Sequence, residues 1–536
     1  SKRRLFRGSY AMCDAPLGFV QIQKPGAYWN YDAVISPQEI QKDIGIKGGT
    51  IQIQYGTGIK EVEISDGEEE IIAHVPIISH EIGQYEFTPD FRELTQYTGV
   101  LQPENLKLFR ERLEERGLLP YAAEALYASG KLAGACYKLE LEAAFRSAEL
   151  SGFQLLDIKD FTGQGTALVG ILNAFHKNKG IIPRSEWRMF CSDAVLLPTL
   201  DSFVMKGGSC VACEIKLRYY RPEKLLKPQL KAVWYLKRQA GSTEETRIEK
   251  QVQTMACQET AGRGLFTLGT LALNVPACRN NALYALRFVL TSENAAAVEN
   301  EYDIFLYEEK TLRSGVILNE EISLNEALNK EDLNKEVLNK KVLKQKIFVQ
   351  NERAVCITND NAEGLKACKN GESVLLFVKP DSTLPDSTIK GEYCTDFWCY
   401  PMFRSISEGA GKPVPTGTMG LLIDNKHPAL SEFVSETYTT AQWYQIIMHS
   451  RPMILDKMRE TRNLKPIVRM LDNFERNHNL GLLYEVKYGA GKMLVCHADL
   501  MTLKEDYPEA DCLYRSLVTY VCSKKFCETR ITVEEA

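Results

Sequence analysis

The sequence predicts a multidomain protein of the α/β plus β class, and three observations carry that reading. An apolar run near 75–84, helical patterns over 103–149 and a second apolar run at 152–157 follow one another; short alternating segments fill 201–312; and from about 347 short apolar strands again alternate with helical stretches. A chain of 536 residues is too long for one core. At roughly 100–200 residues per domain it divides into about three. The expected divisions are 1–200, 201–312, a charged linker or insertion at 313–346, and 347–536.

Composition narrows the class. Apolar content of 44% and charged content of 25% are those of ordinary globular protein. A net charge of −5 and a pI near 6.0 give no basic footprint, so no nucleic-acid partner is expected. No apolar run approaches the roughly 20 residues that span a bilayer, so no membrane span is expected either. The opening Ser1-Lys-Arg-Arg-Leu-Phe-Arg7 is basic but lacks an apolar h-region, which argues against a signal peptide. It also lacks a starting Met, and the chain is expected to begin inside something larger. Fifteen scattered cysteines do not make the regular framework of a small disulfide domain, and mostly free, buried thiols are expected.

Taken in order, residues 1–74 carry a strand start at Leu5-Phe6, a long loop with Trp29, and a half-exposed strand at Thr50-Ile-Gln-Ile-Gln-Tyr55. Val75-Pro-Ile-Ile-Ser-His-Glu-Ile-Gly-Gln84 suits a strand buried on both faces. Leu106, Phe109 and Leu113 recur at helical spacing after Pro103, and a second helix over about 119–149 carries Leu126, Leu132, Leu139 and Phe145. The strand at Gly152-Phe-Gln-Leu-Leu-Asp157 completes a βαβ unit and implies a parallel pair. A further helix is expected from Thr166 to Lys177. Segments at 209–219, 230–237, 285–290 and 302–307 read as strands of an antiparallel β-sandwich. Leu-Asn pairs at 318, 324, 328, 333 and 338 match no heptad or helical face and read as linker. The last region places strands at 371–378, 419–424, 482–487 and 492–497, with helices at 361–369 and 510–523, in a mostly parallel sheet.

Chemistry concentrates where the apolar runs end. Glu81 closes the first run and Gly83 leaves space beside it. Alone, a His-Glu-x-Gly fits a structural ion pair better than a nucleophile. His80 either positions Glu81 or contacts substrate, or is satisfied by backbone. Asp157 and Asp160 end the second run and suit hydroxyl recognition or helix capping. Gly163-Gln-Gly165 lacks the Lys-Ser/Thr of a phosphate loop and reads as a tight turn. Cys210 and Cys213, three apart on a strand, point to opposite faces, so no metal site is expected there. No cofactor is implied.

Ser79-His-Glu-Ile-Gly-Gln84 resembles the nucleophile segment of glycoside hydrolase family 2, which includes β-galactosidases, β-glucuronidases and β-mannosidases. Asp90-Phe-Arg-Glu93, Tyr97-Thr-Gly99, Ala128-Ser-Gly-Lys131, Gly152 to Asp157 and Asp160 to Gly170 extend the likeness to a gut-bacterial, β-galactosidase-like branch, with Thr162 where Pro is usual. It continues through Glu301 to Tyr307, Lys426-His-Pro-Ala-Leu430, Gln442-Trp443 and Asp472 to Arg476. The resemblance implies the C-terminal half of a TIM-type (β/α)8 barrel, an Ig-like β-sandwich and an amidotransferase-like α/β domain. It implies a retaining exo-β-glycosidase acting on a carbohydrate substrate. Glu81 would be its nucleophile, with His80, Asp157, Asp160 and Gln164 on the sugar.

The acid/base Glu expected in an Asn-Glu pair is missing. Asn300-Glu301, Asn319-Glu320, Asn325-Glu326 and Asn351-Glu352 all stand in other contexts. The expected partner is therefore the N-terminal portion of the same enzyme. The alternative is a catalytically incompetent fragment, or a carbohydrate-binding or structural subunit. Family analogy implies a periplasmic or secreted location, and the cysteine content keeps a cytoplasmic one open.

Overall fold

The computed structural model describes residues 50–55, 58–63, 77–146, 150–200, 202–241, 247–308, 344–349, 353–380, 385–393, 395, 404–405, 408–409, 411, 416–457, 459, 461–526 and 532–533. Leu5-Phe6, Trp29 and the Leu-Asn repeats lie outside them. The protein is mixed α/β with several separate sheets. Among the described residues no helix is long and apolar enough to cross a membrane.

The alternating stretch at 50–55 is a strand, β1 (Thr50–Tyr55), in a hairpin with β2 (Gly58–Glu63). The two apolar runs become β3 (Ile77–Gly83) and β4 (Leu150–Leu156), which pair in parallel with Gly83 opposite Leu156. Parallel neighbours need a long crossover. Here it is made by α1 (Glu104–Glu115), a 3-10 turn (Leu119–Tyr121) and α2 (Ala122–Arg146). Gly117, at φ +70, ends the first helix. Helix α2 buries Leu126, Leu132, Tyr137, Leu141 and Phe145, so it is a core element rather than a surface one. A Cβ on Gly130 or Gly134 would lie 2.6 or 2.8 Å from the side chains of Ile181 and Ile182, so α2 is clamped against that segment.

The helix expected at 166–177 does not form. Residues 158–160 instead bridge to Leu172, and Leu172 bridges to Asn178. The reason is local: Asn173 Oδ1 accepts from the amides of Phe175 and Lys177, and Asp160 Oδ1 accepts from that of Gly170. Such side-chain acceptors compete with helical hydrogen bonds.

Two antiparallel sheets follow, with strand orders β10-β7-β5 and β6-β12-β11-β8-β9. Their strands are β5 (Ala194–Thr199), β6 (Val204–Lys206), β7 (Cys210–Tyr219), β8 (Gln229–Gln239), β9 (Ile248–Ala256), β10 (Gly264–Asn274), β11 (Ala282–Thr291) and β12 (Val298–Tyr307). Helix α3 (Arg184–Phe190) precedes them. The sheets share one core that includes Ile215, Leu217, Trp234, Leu286 and Phe288. Burial alternates along β7 from Cys213 to Leu217, the period-2 pattern of a half-buried strand. The short β6 pairs with β12 in parallel, unlike its neighbours.

The last sheet runs β13-β14-β15-β20-β19-β18-β16, with β17 and β21 also on β19. Its strands are β13 (Lys344–Val349), β14 (Arg353–Thr358), β15 (Ser373–Phe377), β16 (Thr418–Ile423), β17 (Met453–Ile454), β18 (Val468–Asp472), β19 (Asn479–Tyr488), β20 (Gly491–Cys496) and β21 (Thr532–Val533). β13 begins inside the stretch expected as linker. The helices are α4 (Asn361–Lys369), α5 (Tyr444–Met448), α6 (Leu500–Leu503) and α7 (Pro508–Val521). The expectation of a mostly parallel sheet is corrected: only β14–β15, β15–β20 and β19–β21 are parallel among the described pairs. β19 and β20 are joined through Gly489 and Ala490 alone, a link that reverses the chain and permits only antiparallel pairing. The first parallel pair has α4 as its crossover.

Helix α2 also ties the regions together. Glu142 accepts from Lys138 Nζ at 2.7 Å, from Asn300 Nδ2 at 2.7 Å and from the Tyr302 hydroxyl at 2.9 Å, with Arg146 at 3.4 Å. On its other side Leu132 packs onto Gly420 of β16, where a Cβ would meet its Cδ2 at 2.9 Å. The end of α1 docks on the last region. Arg112 Nη1 donates to Phe474 O at 3.1 Å, and Arg116 Nη1 donates to Asp456 Oδ2 at 2.6 Å. Asp456 also takes His478 Nδ1 at 3.0 Å and the Asn479 amide at 2.9 Å. Burial pushes the Asp456 carboxyl up, but His478 and the backbone donors outweigh it and hold it below its ordinary value. A depressed carboxyl stabilises the fold above its unfolded pKa, and the contribution is lost as pH falls through the folded one. Asp456→Asn is therefore expected to lower the thermal midpoint at pH 7, with the difference from wild type shrinking as pH falls below the ordinary carboxylate range. Calorimetry across that range checks it.

Candidate functional site at the strand ends

The parallel register puts Glu81, two residues before Gly83, and Asp157, one residue after Leu156, at the same end of neighbouring strands. His80 lies beside Glu81 on β3. The side chains of His80 and Glu81 lie outside what is described. Immediately beyond them the backbone turns through Gly83 (φ +97) and Gln84 (φ +70). The first position favours glycine, and a Cβ there would overlap the Tyr137 ring. The Gly83 amide donates to Glu140 Oε2 at 2.9 Å, a buried contact. Tyr137 donates its hydroxyl to Val169 O at 2.7 Å and meets the Tyr85 ring edge-on at 5.1 Å. Tyr85 is thus packed into the core, 2% exposed.

The other predicted residues separate. Asp157 is half-buried, and its Oδ1 accepts from the Ile158 amide at 2.6 Å. Asp160 is 3% exposed and engaged with Lys179 Nζ at 2.7 Å and the Gly170 amide at 2.9 Å. Burial raises its carboxyl above the ordinary value against the pull of Lys179. Its Oδ2 has no hydrogen-bond partner. Gln164 lies exposed on a turn in which its own amide donates to Phe161 O. The tight-turn reading of Gly163-Gln-Gly165 fits, whereas the helix-cap alternative for the aspartates has no helix to cap.

Sequence reasoning assigned no role to the group beside Asp160. Glu93, 2% exposed, sits with Asp90 and Asp160 around Lys179, whose Nζ lies 4.4 Å over the Phe87 ring. Arg92 pairs with Asp90 at 2.7 Å and donates to Lys179 O at 2.9 Å. Burial, then Asp160, push the Glu93 carboxyl up to about 7. A cleft of about 560 Å³ opens alongside, lined by Asp90, Arg92, Arg110, Tyr127, Lys179 and Gly180 and by none of the predicted site residues. Among the described residues no group of three or more His, Cys, Asp or Glu converges as for a metal ion. Glu140 stands between Leu139 and Leu141 in a helix that also carries Lys138 and Glu142, so nothing local singles it out. For Lys179, nothing local sets it apart.

In the last region Cys496 and His497 do not form a dyad. Burial pushes the Cys496 thiol up to about 12 and the His497 imidazole down to about 4, and His497 Nε2 lies 3.0 Å from the Tyr484 hydroxyl. A neutral thiol and a ring facing elsewhere supply no activated nucleophile.

Residues 355–536 match a family described as a domain of unknown function (DUF8487). A comparison with curated proteins finds no match. Among solved structures, the exo-chitosanase of Amycolatopsis orientalis is 13% identical with a TM-score of 0.24, over 46% of this chain and 27% of that one. The sporulation control protein Spo0M of Bacillus subtilis is 12% identical with a TM-score of 0.16, over 22% of this chain and 50% of that one. A family 123 glycoside hydrolase of Clostridium perfringens is 7% identical with a TM-score of 0.14, over 20% and 22%. In each case the chain spans less than two thirds of the other's length. TM-scores this low carry no argument.

The Glu93 geometry has a measurable consequence. Folding takes up a proton between an ordinary Glu pKa and about 7, so this group's contribution to stability falls as pH rises across that window. Glu93→Gln, an isostere of the protonated acid, is expected to melt a few degrees above wild type at pH 8 and to converge with it below pH 5. Melting curves at both pH values check it.

Proposed function

We propose that this chain is the C-terminal portion of a retaining exo-β-glycosidase resembling glycoside hydrolase family 2, of the β-galactosidase-like kind. In this reading 1–200 are the second half of a TIM-type barrel, 201–312 an Ig-like sandwich, 313–346 a linker or insertion, and 347–536 an amidotransferase-like domain without activity of its own. The substrate is the terminal sugar of an oligo- or polysaccharide, with glucuronide and mannoside as alternatives within the class. By family analogy the location is periplasmic or secreted, with a cytoplasmic one as the alternative.

The supporting observation is the parallel β3–β4 pair, with Glu81 and Asp157 at the same end of adjacent strands. In parallel α/β barrels that end carries the chemistry. The Glu81 carboxylate attacks the anomeric carbon as the glycosidic C–O bond breaks. The leaving oxygen takes a proton from an acid/base Glu supplied by the N-terminal portion, about 5–5.5 Å away. Water, deprotonated by that same residue, then attacks the anomeric carbon and frees Glu81 with net retention. Asp157 would take sugar hydroxyls. Asp160, already paired with Lys179, would act only through that pair.

That pairing gives the second reading its footing. A carboxylate spent on a buried ion pair fits a structural or carbohydrate-binding subunit as well as an enzyme. Aryl glycosides offered to the full-length enzyme separate the two. Glu81→Gln is expected to reduce kcat by at least about 10³-fold while leaving the melting temperature near wild type. Near-wild-type hydrolysis by that variant removes the glycosidase assignment.

A further inference from the structure

The turn that follows Glu81 is built from two consecutive residues with positive φ, Gly83 at +97 and Gln84 at +70. A glutamine in that conformation is held by its surroundings, since non-glycine residues enter it at a cost of about 1 kcal/mol or more. Both restraints on Gly83 come from α2, three residues apart on one helical face. Glu140 Oε2 accepts from the Gly83 amide at 2.9 Å, and the Tyr137 ring fills the space that a Cβ would need. The ring is itself locked by the Tyr137 hydroxyl on Val169 O at 2.7 Å and by its T-shaped contact with Tyr85. Helix α2 cannot drift, because Glu142 and Lys138, on neighbouring turns, bind Asn300 and Tyr302 of β12.

We infer that Glu140, with Tyr137 beneath it, is a positioning residue that sets where β3 ends and so where Glu81 meets the sugar. The inference rests on the glycosidase reading. Its mechanism is the reach of an acceptor oxygen rather than a charge. An amide–carboxylate bond at a fixed height pins the backbone two residues beyond the nucleophile, and a misplacement of about 1 Å can cost about 10²-fold in rate.

The test is a series in the full-length enzyme on an aryl glycoside, with Glu81→Gln as reference. Glu140→Gln keeps an acceptor at the same reach without the charge, whereas Glu140→Asp keeps the charge and withdraws the acceptor by one methylene. Glu140→Leu removes both. The expected order of kcat is wild type, then Glu140→Gln within a few-fold, then Glu140→Asp, then Glu140→Leu down about 10–100-fold, with KM changed far less. Formate is expected to restore turnover to Glu81→Gly but not to Glu140→Leu, since only the first leaves a hole at the anomeric carbon. If Glu140→Leu does not fold, the order of Gln and Asp decides. Asp outperforming Gln, or wild-type kcat in a folded Glu140→Leu, overturns the positioning role while an inactive Glu81→Gln leaves the glycosidase reading standing. An active Glu81→Gln removes both.

Discussion

The arrangement depends on one buried carboxylate. Glu142 sits inside α2 with no exposed surface, and burial alone would drive it toward its neutral form. Lys138, Arg146 and Asn300 outweigh that and keep it below the ordinary carboxylate range. Removing one partner from such a cluster strands the others, at a cost of about 3–5 kcal/mol. Because Lys138 and Arg146 lie one helical turn either side and Asn300 and Tyr302 lie on β12, the cluster fixes the helix in both rotation and height. An apolar contact would tolerate sliding; a buried network of directional, charge-assisted bonds does not.

That constraint passes to three places. The β3–β4 crossover inherits a fixed helix, so Tyr137 and Glu140 meet the Gly83 turn at a set distance. The last sheet inherits it through Leu132 on Gly420. The sandwich is joined directly by β12. One hydrophobic cluster accordingly runs from Tyr137 and Phe145 through Phe305 and Tyr307 to Leu421 and Met470. The last region, which the sequence separates by a biased stretch, shares a core with the β3–β4 unit and is no loosely tethered appendage.

Electrostatics at the strand ends follow from burial without full pairing. Asp90, Glu93 and Asp160 are buried around Lys179, while Arg92, paired with Asp90, is itself exposed, which leaves more acid than base in the buried part of the group. One carboxyl must then hold its proton near neutrality, and Glu93 does so because desolvation and Asp160 act on it in the same direction. Aspartates that looked equivalent in the sequence end in different settings. Asp157 remains half-buried at the strand end, while Asp160 is drawn into the ion pair one bridge further on.

The sequence by itself determined the elements with strong periodicity. The apolar runs ending at Gly83 and Leu156, the helices beginning at Glu104 and Asn361, and the alternating sandwich strands were legible because residues three or two apart share a face whatever lies opposite. It also put Glu81 and Asp157 at strand ends, since an apolar run that stops at a carboxylate marks where the strand leaves the core. Tertiary structure alone decided the rest. Residues 166–177 lost their helix to Asn173 and Asp160, whose oxygens took the amides first. The last sheet became mixed because short reversals at Gly489-Ala490 overrode the look of its strands. Glu140 reached Gly83 across 57 positions, and Lys179 reached Asp160 across 19. Those partners are set by how whole elements pack, and a linear pattern carries no record of which polar group will face which once water has left.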